Sequence, residues 1–190
     1  MVNPFNYIFK FFKCSCSGFE YLRGDGSELF TLSKGNPFML FVYSGELTVS
    51  YEDEHVSLQK GEYLFVKKDI TVNISKSDSE EEKFCTVFFS FEKMFLLDFY
   101  KNLDIKYIHT SLAKPEKNII KLPYNPYLQS IYISIGSYLE YGVKPTSDII
   151  NIKMQESVYA LMLTDIRFFS CLFDFVHLMN YNNNNHLHKN

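Results

Sequence analysis

Hydrophobic side chains recur every second residue up to about Phe91 and every third or fourth residue beyond it. A chain with that single change of period folds its first half as strands and its second half as helices. Phe38-Met39-Leu40-Phe41-Val42-Tyr43 is a continuous apolar run closed by Ser44-Gly45. Leu47, Val49 and Tyr51 then alternate with Glu46, Thr48, Ser50 and Glu52, the pattern of a half-buried strand. Glu52-Asp53-Glu54 reads as a turn, and Val56-Ser57-Leu58 resumes the alternation. Lys60-Gly61 turns the chain into Tyr63-Leu64-Phe65-Val66, and after Lys67-Lys68-Asp69 the residues Val72 and Ile74 keep period two. Ser75 to Lys83 carries Glu80, Glu81 and Glu82 in succession and reads as a solvated hairpin tip. Phe84 to Phe91 is a long strand with apolar residues on both faces. Tyr7 to Cys14, Phe19 to Leu22 and Leu29 to Leu32 are candidate earlier strands, with Gly24-Asp25-Gly26 turning between the last two. Short strands at this spacing predict a sandwich or barrel.

Past Phe91 the spacing predicts a helix reaching Leu103, with Met94, Leu97 and Tyr100 on one side. Asp104 to Leu122 reads as irregular. Asn125-Pro126 opens a second helix, Asn as its cap and Pro at its first position. Leu128, Ile131, Tyr132, Ile135, Tyr138 and Leu139 make one wide apolar stripe along it, and Gly142 ends it. A third helix spans about Asp148 to Leu163. Ile149, Ile152, Tyr159 and Leu163 form one side, and Val158, Leu161 and Met162 extend the apolar surface away from it. Arg167 to Phe175 predicts a short, very apolar helix. The asparagine-rich segment beyond is expected to fray. The division is therefore a β-barrel over 1–92, helices packed on it over 93–178, and a disordered tail over 179–190.

Composition narrows the function classes. In 190 residues, 46% are hydrophobic and 17% aromatic, enough for one sizeable core. The formal net charge is −3, from 19 basic and 22 acidic residues. Such a balance leaves no electrostatic footprint for a phosphate backbone, so nucleic-acid binding by these residues alone is not expected. Cys14-Ser15-Cys16 lies closer than paired zinc ligands usually do, and no second pair accompanies it. Cys14, Cys16, Cys85 and Cys171 therefore read as reduced thiols. Lys10 and Lys13 interrupt the apolar start, no small-residue cleavage site follows, and no apolar run reaches the roughly 18 residues of a membrane helix. A cytoplasmic chain without a membrane partner is the expectation. No nucleophile elbow or phosphate-cradling glycine loop occurs.

Gly45-Glu46-Leu47-Thr48-Val49 followed by Val56-Ser57-Leu58-Gln59-Lys60-Gly61-Glu62 has the cadence of a barrel hairpin: glycine and acid open one strand, a polar turn reverses it, and a second glycine-acid pair launches the next. Glycine suits such corners because they need positive φ or close backbone approach. The pattern resembles the central hairpin of the cupin-type barrel, a double-sheet jelly roll. Metal-binding cupins place two histidines and a glutamate before the first glycine and a histidine after the second. Here no histidine precedes Gly45, and Lys67, Asp69 and Val72 stand where the later signature falls. The converging imidazole and carboxylate ligands of a first-row metal site are missing, so no metal and no cofactor is expected. Of the histidines, His55 falls in an expected turn. His109 and His177 have no partner at ligand spacing, and His186-x-His188 reads as an expression remnant or a loose surface metal binder.

A metal-free barrel followed by helices resembles the N-terminal half of AraC-type bacterial transcription regulators. Ile152 to Leu163 is similar to the helix with which those regulators close the sensor half and often dimerise, and Arg167 to Phe175 to the segment leading toward their DNA-binding half. The resemblance covers about Leu40 to Phe175. It implies an α+β fold, a cupin-like barrel with three or four helices, and an effector-sensing, dimerising, non-catalytic role. DNA would be reached only through a C-terminal helix-turn-helix domain, which this sequence is expected to lack by truncation, engineered or natural.

Two readings of the site stay open at this point. Phe41, Tyr43, Tyr63, Phe65 and Phe89 either line a barrel pocket for a small effector or fill the barrel with their rings. A regulatory protein in place of a small molecule is the other input such regulators use. Lys67 and Lys68 either hold a carboxylate effector at the barrel mouth or discourage edge pairing from a solvated turn. Val158, Leu161 and Met162 form the expected homodimer surface, related by two-fold symmetry. The rival functional class is a metal-free cupin enzyme acting on a sugar or small acid, which requires a polar, roomy cavity with a titratable group inside. A third reading is a stand-alone chain that sequesters a partner.

Overall fold

Strand pairing accounts for the two apolar faces of the first half. The chain is seen in a computed structural model that describes residues 10–13, 18–24, 30–76, 84–107, 113–143 and 145–175. The strands are β1 (Lys10–Lys13), β2 (Gly18–Gly24), β3 (Phe30–Lys34), β4 (Phe38–Ser44), β5 (Glu46–Tyr51), β6 (Glu54–Gln59), β7 (Tyr63–Val66), β8 (Ile70–Lys76), β9 (Phe84–Ser90) and β10 (Ile119–Lys121). They form two sheets, a six-stranded one ordered β1-β2-β9-β4-β7-β10 and a four-stranded one ordered β3-β8-β5-β6, with antiparallel pairing throughout. The chain passes repeatedly between the two sheets, as a double-sheet cupin barrel requires. Four helices follow: α1 (Lys93–Lys101), α2 (Pro126–Glu140), α3 (Ser147–Thr164) and α4 (Phe168–Leu172). The α+β, cupin-like architecture expected from the sequence is the one observed.

The corners behave as glycine chemistry demands. Gly45 and Gly61 take φ of 76° and 85°, values a side chain would strain. Asn125 caps α2 through Oδ1, which accepts from Tyr127 N at 2.8 Å, while its Nδ2 donates to Thr164 Oγ1 at 2.6 Å. One residue thus starts α2 and ties it to the end of α3. Thr146 caps α3 by accepting from Ile149 N.

Two cores lie on opposite sides of the six-stranded sheet. Between the sheets sit Phe38, Leu40, Val42, Leu64, Val66 and Phe88 with Leu47, Val49, Leu58, Val72, Ile74 and Ile119 from the facing elements. On the outer side Met39, Phe41, Tyr63, Phe65, Val87 and Phe89 meet the helices. Register explains the sorting. Phe41 pairs with Tyr63 on β7 and with Val87 on β9, and Met39 with Phe65 and Phe89. Cross-strand partners share a face and successive residues alternate, so β4, β7 and β9 each contribute one row to each core. The pairing slips between Val42 and Ser44, where β4 bulges. Close by, the fully buried Thr86 hydroxyl donates to Phe41 O at 2.7 Å.

Three expectations are corrected. The stretch from Asp104 to Leu122 is not irregular throughout: it contains a short 3₁₀ turn, Ile105–Tyr107, and the edge strand β10. The 1–92 boundary is therefore crossed, because β10 pairs with β7 and completes the barrel's large sheet. His55 lies within β6, paired opposite Ser50, rather than in a turn. The expected turn at residues 25 and 26, the hairpin tip at 77–83, Cys14-Ser15-Cys16, the tail over 179–190 and His109, His177, His186 and His188 lie outside the described residues.

β10 is stitched to the opposite sheet by charge. The Glu54 carboxylate on β6 accepts from Asn118 N, Asn118 Nδ2 and Ile119 N at 3.1, 3.3 and 3.1 Å. Lys121 Nζ donates to Ser57 O at 3.2 Å and pairs with Glu62 at 2.6 Å. Glu54→Ala strips several partly buried donors of their partner at once, and should lower unfolding stability by about 1–3 kcal/mol. Glu54→Gln, which keeps one acceptor oxygen, should cost less. Denaturant unfolding checks both, and an unchanged midpoint for Glu54→Ala would show that the stitch contributes nothing.

Candidate functional site

The five expected pocket residues are brought together, but on the other side of the sheet. Phe41, Tyr63, Phe65 and Phe89 are at most 2% exposed and belong to the core between sheet and helices, not to the barrel interior. Tyr43 continues the same row, half-buried against α2. The correction has a simple cause. β4, β7 and β9 are apolar on both faces, so alternation alone does not say which row points inward. Among the described residues, the interior holds Phe38, Phe88 and the aliphatic side chains around them.

The outer aromatic row is a docking bed for α2 and α4. Phe41 meets Tyr63 and Phe89 edge to face, with centroids 5.0 and 5.3 Å apart, and Phe65 meets Phe168 of α4 at 4.9 Å. Tyr63 OH donates to Gln129 Oε1 at 2.6 Å, and Tyr43 OH to Glu140 Oε1 at 2.7 Å. Tyr43 also tilts against Tyr132 at 5.3 Å. Space for this comes from Gly136, where a methyl group would stand 2.5 Å from Tyr43 Cε2 and 2.6 Å from its hydroxyl oxygen. Burial, followed by the Glu140 contact, raises the Tyr43 hydroxyl far above the ordinary tyrosine range. Burial, followed by Tyr132 and Tyr124, pushes Tyr63 up to about 12. Under α2 lie slender apolar crevices with room for no more than about one water each. One lies among Phe41, Tyr43, Val87, Tyr132 and Ile135, and one runs from Phe89 past Ile135 to Lys153.

Larger concavities open at the surface. A groove runs between α1 and α3, lined by Phe95, Asp98, Phe99, Asn102, Asn151, Gln155 and Tyr159. A cleft lies where the β3–β4 and β7–β8 turns meet the start of α1 and the end of α4. Lys67 and Lys68, expected either at a carboxylate site or in solvent, are both engaged internally. Lys67 Nζ donates to Pro115 O at 2.6 Å and Glu116 O at 3.2 Å, and Lys68 pairs with Asp174 at 2.6 Å.

The expected dimer surface is also corrected. Val158, Leu161 and Met162 are 0%, 0% and 3% exposed and face the chain's own core. Ile150, Met154 and Ser157 are buried with them, and their four-three spacing down the helix was the signal that marks this as the inward side. The opposite side carries Ile152 and Leu163, 56% and 50% exposed. Both belong to the side that the sequence pattern sets apart from the expected dimer surface.

Among the described residues there is no group of three or more His, Cys, Asp or Glu positioned to hold a metal ion, and no helix is long and apolar enough to cross a membrane. Cys85 and Cys171 are both buried.

Gly136→Ala separates helix propensity from packing. In an open helix the change would stabilise by about 1 kcal/mol. Here the new methyl must displace the Tyr43 ring, with loss of the Glu140 hydrogen bond, a net cost of about 1–2 kcal/mol. In a Tyr43→Ala background the same substitution should become stabilising. The unfolding midpoints of the four proteins of this cycle decide it, and equal effects in both backgrounds would mean that the contact carries no energy.

Tyr63 makes a pH prediction. Its folded value is raised, so its contribution is complete below the unfolded value near 10 and disappears as pH climbs through about 12. The stability deficit of Tyr63→Phe should therefore shrink across that window. A deficit that stays constant from neutral pH to the alkaline end excludes the linkage.

The sequence profile of the ExsA N-terminal regulatory domain matches residues 37–167, well over half of the chain. A search of curated protein sequences finds no match. Among solved structures, ToxT from Vibrio cholerae O395, bound to (E)-4-(8-methylnaphthalen-1-yl)but-3-enoic acid, is similar over 78% of this chain and 57% of its own, with 11% identity and a TM-score of 0.52. A cupin superfamily protein from Desulfitobacterium hafniense DCB-2 aligns over 49% of this chain and 84% of its own, with 9% identity and a TM-score of 0.42. The EutQ protein of Clostridium difficile aligns over 45% and 68%, with 15% identity and a TM-score of 0.36. With its cupin-type barrel and closing helices, the chain belongs to the ExsA N-terminal regulatory domain family, the regulatory half of AraC-type transcription regulators.

Proposed function

We propose that this regulatory domain is an input and self-association unit. A small-molecule effector or a regulatory protein acts on it, two copies join through α3, and the pair sets how attached helix-turn-helix segments meet adjacent DNA half-sites. The observation that carries this reading is the two-sidedness of α3. Its inner face is consumed by the chain's own core, yet Ile152 and Leu163 stand exposed on the other. Eleven residues separate them, three helical turns, so they lie on one line. That ridge adjoins the groove between α1 and α3 through Asn151 and Gln155. An exposed apolar line on a long helix suits two-fold packing of the helix against its own copy.

The larger described concavities lie at the surface, which favours an input that arrives there. The barrel interior also supports a sensor over the rival enzyme, since the described inner face is aliphatic and phenyl apart from groups such as Thr86. Near-balanced charge leaves DNA contact to another segment of the regulator. Such a regulator works where the DNA is, in the bacterial cytoplasm.

Sedimentation of the chain should show a dimer that the pair Ile152→Glu and Leu163→Glu converts to monomer with unchanged circular dichroism. Leu161→Glu, by contrast, should unfold the protein, because that side chain is fully enclosed. Undiminished association of the folded double variant removes α3 from the interface.

A further inference from the structure

We infer that α4 and the turn behind it form a short lever, pinned to the barrel by an aromatic contact at its start and closed onto it by an ionic clasp at Asp174. The clasp fixes the direction in which the chain leaves this turn. The inference rests on the regulatory reading, in which the chain runs from here toward the DNA-binding half, and adds to it a device for control. Three observations carry it.

The clasp joins three segments that are distant in sequence. Oδ2 of Asp174, in the turn after α4, lies 2.6 Å from Lys68 Nζ of the β7–β8 turn and 3.3 Å from Lys114 Nζ, ahead of β10. The neighbouring Lys67 holds the segment that carries Lys114: its Nζ donates to Pro115 O and Glu116 O, and its backbone N donates to Asn118 O at 3.1 Å. The β7–β8 turn is therefore a hub. One of its lysines sets the loop before β10, and the next meets Asp174.

The two ends of the lever are held by different chemistry. Phe168, buried at the start of α4, has its ring 4.9 Å from that of Phe65 on β7. At the other end Phe173 packs against Phe99 and Tyr100 of α1, with centroids 6.1 and 5.7 Å away, and against Phe175 at 6.2 Å. Asp174, between those two rings in sequence, turns its charge to the barrel's lysines. Losing the ion pairs removes this polar tie and leaves the turn on its aromatic contacts.

The clasp is also the part that opens while both cores stay closed. Its lysine side chains are 44% and 47% exposed and that of Asp174 18%. Ion pairs this accessible are individually weak and are screened by salt, whereas buried apolar contacts are not. Two lysines on one carboxylate make the release graded, since the loss of one leaves the other in place. An element with a firm end and a weak end gives a regulator two arrangements to bias.

Hydrogen exchange of the full chain, followed amide by amide, tests this. The reporter is Phe173 N, which donates to Phe169 O at 2.9 Å. Asp174→Asn should speed its exchange about fivefold and leave Leu40 and Phe41 of β4 unchanged. Raising NaCl from about 0.05 to about 1 M should have the same selective effect on the unaltered chain, and none on Asp174→Asn. Lys68→Gln and Lys114→Gln should each give about two- to threefold, and neither should add to Asp174→Asn. A folded Asp174→Asn chain with unchanged Phe173 exchange overturns the inference. So does an acceleration shared by β4, or an Asp174→Asn chain that fails to fold, because the ions would then support the whole domain. Sedimentation of the same samples keeps the two proposals apart. A dimer whose Phe173 exchange ignores Asp174 ends the clasp alone, and a monomer with the selective salt response ends the self-association reading alone.

Discussion

The central strands β4, β7 and β9 of the six-stranded sheet are buried on both faces, and the rest of the described molecule is arranged around that fact. β4, β7 and β9 put one row of large side chains between the sheets and another under the helices. Each such side chain contributes about 1.5–3 kcal/mol when fully buried, so neither the small sheet nor the helical layer is dispensable. The small sheet has a wetter outer face, seen in the alternating burial of β5 and β6. Burial on both sides also fixes register, because a one-residue slip in β4 would exchange Phe41 with Leu40 across the sheet and misfit both cores at once.

This same property limits what a reader of the sequence learns. Strands with one wet face, such as β5, are written plainly in Leu47, Val49 and Tyr51, and the start of α2 in Asn125-Pro126. A row such as Met39-Leu40-Phe41-Val42 contains two apolar faces and no mark of which is inner, so the aromatic set was grouped correctly and aimed at the wrong core. α3 posed the same ambiguity on a helix: apolar residues surround it, and only the spacing of Ile150, Met154, Ser157 and Leu161 distinguishes inside from outside. β10 is three residues long, too short for any periodicity. Its existence depends on Glu54 and Lys121 reaching the other sheet, a long-range fact. The join of Lys68 and Lys114 at Asp174 is invisible for the same reason. Gly136 carries no mark of its role in the sequence, because that role depends on a tyrosine delivered by β4.

Packing also bears on how a signal crosses the domain. Phe65 of β7 touches Phe168 of α4 directly, and α4 leads through Phe173 into a ring cluster with Phe99 and Tyr100 of α1. Close-packed aromatic contacts switch between discrete arrangements more readily than they deform continuously. The barrel and the terminal helix therefore share side chains instead of communicating through a flexible link. Asp165, held below the usual carboxylate range by hydrogen bonding to Arg167, makes the junction between α3 and α4 similarly firm.

β10 gives the barrel a debt to the helical half. The strand that finishes the large sheet is encoded beyond α1, so a fragment ending after β9 would leave β7 with bare backbone donors and acceptors along one margin. It would also leave Met39, Phe41, Phe65 and Phe89 facing water. The halves that a sequence map draws apart are thus one unit of inheritance as well as of folding, and recombination between regulators would preserve it only by exchanging barrel and helices together.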